Sequence, residues 1–109
     1  MTEHAPKTLG VLGAGTMGAG IAQLGCVAGF DTHLHDPFPE ALERGGERVH
    51  RGLARGVERE RWSEQEATEA ETRLVLAGSL EELAACELVI EAIVDLNVAS
   101  NSISAIGHR

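Results

Sequence analysis

Gly13, Gly15 and Gly18 stand in the spacing G-x-G-x-x-G, within the run Gly13-Ala14-Gly15-Thr16-Met17-Gly18. A carboxylate, Asp36, follows 23 positions after the first glycine. Glycines so placed suit phosphate chemistry: the first allows a tight turn, the second lets backbone approach a pyrophosphate with no Cβ in the way, and the third lets a helix pack close to a strand. Free N–H groups at the start of that helix, with the positive end of its dipole, then favour the phosphate charge. Asp36 adds a ribose sensor, because a carboxylate accepts hydrogen bonds from two vicinal hydroxyls and repels a 2′-phosphate. Pro37-Phe38-Pro39 follows and offers no arginine to hold such a phosphate, so the pattern points to NAD rather than NADP. The bland alternatives are a glycine-rich turn without a ligand and an aspartate that merely caps the next helix.

Three glycines alone are a weak signal, and their context strengthens it. Thr8 to Leu12 is short, apolar and β-branched, and reads as a buried strand ending at the glycines. Met17, Ile21, Leu24 and Val27 recur at helical spacing, and Ala28-Gly29 is a helix stop. Thr32 to Asp36 reads as a second strand. Pro37 fits the first turn of a following helix, whose apolar stripe is Leu42, Val49, Leu53 and Val57. Gly45, Gly46, Gly52 and Gly56 weaken that helix, each by about 1 kcal/mol relative to alanine. Ser63-Glu64-Gln65-Glu66 and Ser79-Leu80-Glu81-Glu82 are capping-box patterns that open two shorter helices. Arg73 to Ala77 reads as a third strand and Leu88 to Val94 as a fourth, fully buried one. Such alternation predicts an α/β fold: a partial Rossmann fold with parallel strands in the order 3-2-1-4.

Composition bounds the partners. A chain of 109 residues fits one domain. Its core is about 8–94, and 95–109 is an atypical tail. With aromatics at 3%, the core is aliphatic and alanine-rich. A net charge of -8 argues against nucleic acid as partner. Arg44, Arg48, Arg51, Arg55, Arg59 and Arg61 are interleaved with glutamates and read as a solvated, ion-paired helix. Cys26 and Cys86 lack metal-site spacing and read as reduced thiols. No apolar run is long enough for a membrane span and no signal pattern opens the chain, so a cytoplasmic protein is expected. His33 and His35 share one strand face by period 2, which suits satisfied histidines better than a metal site. Trp62 is expected to pack the junction between two helices.

At these residues the sequence resembles the NAD-binding domain of the 3-hydroxyacyl-CoA dehydrogenase family, which includes the 3-hydroxybutyryl-CoA dehydrogenases. The matching stretches are Gly10 to Gln23, His35-Asp36-Pro37 and Leu88 to Val94. The resemblance implies that Gly13, Ala14, Gly15, Thr16, Met17, Gly18 and Asp36 bind NAD, and that the activity is hydride transfer from the 3-hydroxyl of an acyl-CoA, within fatty acid metabolism. It puts Asp95 where the family has a glutamate near the nicotinamide ribose. Arg59 is the nearest match to a basic residue that meets CoA in some relatives. The family's active-site serine falls on Ser102 or Ser104.

Beyond Asp95 the likeness breaks. The family's next helix and most of a strand look deleted, and its His-Phe-Phe-Asn-Pro stretch, which supplies the catalytic histidine, is absent. So is the C-terminal helical domain; His108 stands alone near the terminus. The chain therefore reads as the cofactor half of an oxidoreductase, truncated and not catalytic in isolation, which meets acyl-CoA only if the missing domain is supplied. The alternatives are a non-catalytic NAD- or ADP-binding module and a truncated remnant. The open edge of strand 4 implies a possible homo-oligomer.

Overall fold

The structure is a computed structural model and describes residues 7–93. Its elements run β1 (Thr8–Leu12), α1 (Thr16–Ala28), β2 (Asp31–His35), α2 (Pro39–Glu58), α3 (Glu64–Thr72), β3 (Leu74–Leu76), α4 (Leu80–Ala84) and β4 (Leu88–Glu91). All four strands are parallel, in the order β3-β2-β1-β4 expected from the sequence. The register brings Val11 beside Leu34 and Ile90, and Gly10 beside His33 and Val89. Because side chains alternate across a strand, these two rows lie on opposite faces of the sheet.

One face carries the core. Leu9, Val11, Thr32 and Leu34 are buried there against α1, with Val49 and Leu53 of α2 and Ala67 and Ala70 of α3 completing the cluster. The expected stripe of α2 is therefore inward. That of α1 is only partly so: Ile21 and Val27 are half-buried against the core, but Met17 and Leu24 are 54% and 63% exposed, and the fully buried residues are Gly18, Ala19, Ala22, Gly25 and Cys26. Close approach explains the difference. A Cβ on Gly25 would lie 2.6 Å from the Leu9 side chain and 3.0 Å from the Thr32 hydroxyl. The helix is pressed so near the sheet that only small residues fit directly between them; Ile21 and Val27 pack at the margins of the core, and Met17 and Leu24 turn outward.

Similar contacts account for two glycines of α2. A Cβ on Gly45 would lie 2.7 Å from the carbonyl of Ala14, and one on Gly56 would overlap the Trp62 indole. Trp62 also donates from Nε1 to the Leu53 carbonyl at 2.9 Å, closing the α2–α3 junction as expected. Helix propensity lost at these positions is exchanged for close packing. At α1 the stop falls at Gly29, in the left-handed region at φ 104°.

The two capping boxes differ. Ser63 accepts from the Glu66 N–H at 3.0 Å while Glu66 accepts from the Ser63 N–H at 2.7 Å, a complete box. Ser79 makes no side-chain cap, and Glu82 instead accepts from the Gly78 N–H at 3.2 Å. The expected ion-paired helix is likewise sparser than its sequence suggests. Along α2 the described residues show Arg51 beside Glu47 at 4.0 Å and His50 paired with Glu71 of α3.

Over the opposite face, α4 crosses β1 and β2. Gly10 faces Leu83 and Cys86 there. Cys26 is buried on the core side, so the two thiols lie on opposite sides of β1 and both are free. Burial pushes the Cys26 thiol up and keeps it neutral. His35 shares Nδ1 with the Ala77 carbonyl at 2.8 Å, whereas the buried Nδ1 of His33 has no partner. No group of three metal-ligating side chains occurs among the described residues.

Candidate functional site

The glycine turn lies at the C-terminal end of β1, where open parallel sheets place their ligands. Gly13 has φ 106°, a conformation that L side chains rarely adopt, and its N–H donates to the His35 carbonyl at 2.7 Å. That bond ties the turn to the end of β2. A Cβ on Gly18 would overlap the Gly13 carbonyl oxygen, so this glycine sets the spacing between α1 and the turn. Gly15 is different. A Cβ there would meet nothing within 4 Å, so the space beside it is open. Gly15 is also the N-cap of α1, where no side chain caps the helix and no acidic residue occupies the first turn. Its first N–H groups are thus left for an anion.

Asp36 sits one residue past β2. Its Oδ2 accepts from the Ala14 N–H at 2.8 Å and its Oδ1 from the Phe38 N–H at 2.9 Å. The carboxylate therefore bridges the glycine turn and the entry to α2. The helix-capping alternative is only partly met, since the N-cap of α2 is Phe38 and no side chain caps it. A carboxylate has about four lone-pair sites, so two bonds leave acceptor capacity on each oxygen.

These residues border one cleft of about 460 Å³. Gly13, Gly15, Thr16 and Met17 line one side, Asp36, Pro37, Phe38 and Ala41 another, and Ala92 and Ile93 the third. Phe38 and Ala41 are lining residues to which the sequence reading assigns no role. The available signal was an aromatic residue fixed between two prolines directly after Asp36, in a chain with few aromatics.

Residues 8–102 match the family described as 3-hydroxyacyl-CoA dehydrogenase, NAD binding domain. The chain belongs to this family. It is 43% identical to a 3-hydroxybutyryl-CoA dehydrogenase of Bradyrhizobium diazoefficiens over 82% of its own length and 30% of the relative's. Among solved structures it resembles FadB2 of M. tuberculosis, with a TM-score of 0.79 and 32% identity over 96% of this chain and 37% of that one. The (S)-3-hydroxybutyryl-CoA dehydrogenase PaaH1 from Ralstonia eutropha gives a TM-score of 0.75 and 34% identity over 94% and 38%. The chain thus spans about a third of the length of these relatives.

Of the remaining sequence candidates of this NAD-binding domain, Arg59 is described and does not line the cleft. Arg59 is the C-cap of α2 and borders a separate hollow of about 180 Å³ with Gln23, Arg55, Arg61 and Trp62. At 1.5 Å per residue along the helix, it lies roughly 27 Å from Ala41. Asp95, Ser102, Ser104 and His108 fall outside the described residues.

Proposed function

We propose that the cleft holds NAD through Gly13, Ala14, Gly15, Thr16, Met17, Gly18 and Asp36, and that the domain serves an oxidoreductase acting on 3-hydroxyacyl-CoA. The observation that carries this reading is the open space beside Gly15 at an uncapped helix start, next to an aspartate with acceptor capacity to spare. The pyrophosphate would lie on the first turn of α1 and the adenosine ribose on Asp36. When bound, the nicotinamide ring accepts or gives the hydride. This chain's residues orient it: the turn fixes the phosphates, and Asp36 takes the ribose hydroxyls while disfavouring a 2′-phosphate. Asp95 would approach the nicotinamide ribose, and Arg59 the CoA. Ser102 or Ser104 would reach the substrate. Relatives named as 3-hydroxybutyryl-CoA dehydrogenases support the substrate class, and a place in fatty acid metabolism is part of the proposal. A cytoplasmic location is part of the proposal. Among the described residues no helix is long and apolar enough to cross a membrane.

Two measurements test the reading. Calorimetry is expected to show NAD binding the chain at least about tenfold more tightly than NADP, one unfavourable charge contact being worth roughly 1–2 kcal/mol here. Asp36→Ala narrows that gap. Gly15→Ala, which meets no protein atom, keeps the melting temperature while weakening NAD. Equal affinity for the two dinucleotides in the unmodified chain would remove Asp36 from its role.

The second reading is a module that binds NAD and catalyses nothing. It is favoured by the cleft itself: among its described lining residues Asp36 is the sole titratable side chain, and its oxygens already hold two backbone N–H groups. Oxidation of a hydroxyl needs a base within hydrogen-bond reach. The 109-residue chain is therefore expected not to reduce acetoacetyl-CoA with NADH above background. Turnover abolished by Ser102→Ala would decide for the enzyme.

A further inference from the structure

Phe38 is 68% exposed, in a chain whose core is otherwise aliphatic. It is not loose. Pro37 and Pro39 flank it, its N–H is held by Asp36, and its backbone is the N-cap of α2. Its ring borders the same cleft as the glycine turn. The two oxygens of Asp36 set an order along that cleft, with the turn on Oδ2 and Phe38 on Oδ1. Pyrophosphate, ribose and base follow the same order in a dinucleotide.

Past Asp36, the described wall of the cleft is Pro37, Phe38, Ala41 and Ile93. None of these side chains has a hydrogen-bonding group. A base edge is read by donors and acceptors matched to its exocyclic groups, and a pocket without them discriminates weakly between bases that differ only there. An aromatic face, by contrast, accepts any base, because every base has a π-face.

Resting on the reading of the cleft as an NAD site, we propose that Phe38 is the stacking platform for the base and that the site holds the base by stacking and does not read its hydrogen-bonding edge. Nicotinamide hypoxanthine dinucleotide, in which the adenine amino group is replaced by a carbonyl, is then as good a ligand as NAD.

Titration calorimetry of the 109-residue chain with these two dinucleotides tests this. The expected result is affinities within about tenfold of each other, with Phe38→Ala weakening both by about tenfold and Phe38→Tyr weakening neither. Circular dichroism of the alanine variant should match the unmodified chain, since no hydrogen bond of the Phe38 side chain caps α2. Phe38→Ala binding NAD as tightly as the unmodified chain would overturn the stacking role. Hypoxanthine binding more than about tenfold weaker than NAD would overturn the tolerance of base identity. Both results leave the cleft as an NAD site. No binding of NAD to the unmodified chain overturns that reading and this proposal together.

Discussion

Gly18→Ala is expected to cost the chain its folded state. The added Cβ would overlap the Gly13 carbonyl oxygen and crowd the Gly13 carbonyl carbon behind it, at 2.7 Å. Both are backbone atoms of a turn that is itself pinned: Gly13 donates to His35, and Ala14 donates to Asp36. The turn has nowhere to retreat, because a Cβ on Gly13 would already sit 2.9 Å from the backbone of Ala92. Relief must come from α1 moving outward, which opens the contacts of Ala19, Ala22, Gly25 and Cys26 along the whole helix. Overpacking usually costs about 1–3 kcal/mol and more when backbone must move. A small domain holds roughly 5–15 kcal/mol in all, and one of this size sits toward the low end. Urea unfolding should therefore find little or no native baseline for Gly18→Ala. Gly20→Ala is the control: it adds a methyl into open space on the same helix and is expected to raise stability by about 0.5–1 kcal/mol. If the two variants unfold at similar urea concentrations, the close approach of α1 to the turn is not what Gly18 is for.

The contrast between these glycines marks what the sequence could reveal. The spacing of Gly13, Gly15 and Gly18, the strand before them and Asp36 after them are local chemistry; Gly13, Gly15 and Asp36 line one cleft, and Gly18 sits behind the turn against the Gly13 carbonyl. β1 is found at its expected residues, and the Ser63 box forms as its pattern requires, since both depend on near neighbours in the chain. What depends on distant neighbours was not legible. The apolar spacing of Met17, Ile21, Leu24 and Val27 is half right: Ile21 and Val27 pack against the core while Met17 and Leu24 face out, because hydrophobicity does not report how close a helix must come to a sheet. Gly45 and Gly56 looked like weaknesses until Ala14 and Trp62 were seen against them. Phe38 carried no motif and entered the cleft through Asp36, whose two backbone partners lie 22 and 2 residues away.

β4 carries the second large effect. Its apolar run reads as a strand buried on both sides, yet Leu88 and Val89 remain 43% and 44% exposed. Their neighbours explain this: within the described residues β4 pairs with β1 alone and ends the sheet. Leu88 shares the core face with Leu9, and Val89 shares the α4 face with Gly10, so both faces of the sheet are apolar at this edge. A parallel edge that no described strand pairs at Leu88 and Val89, with apolar side chains on both faces, favours pairing with another chain. The 109-residue chain is accordingly expected to self-associate in sedimentation equilibrium. Val89→Lys should lower the association constant roughly ten- to a hundredfold, the value of about 1.5–3 kcal/mol for burying one such side chain. It should leave NAD affinity alone, because Val89 does not border the cleft. Salt separates this from charge repulsion: at a net charge of -8, general repulsion would make the unmodified chain associate more strongly as salt rises, whereas the Val89→Lys deficit persists at all salt concentrations. A chain that is monomeric throughout, with amides 88–91 exchanging as slowly as those of β1, would show that the edge is already covered and that association has no part in it.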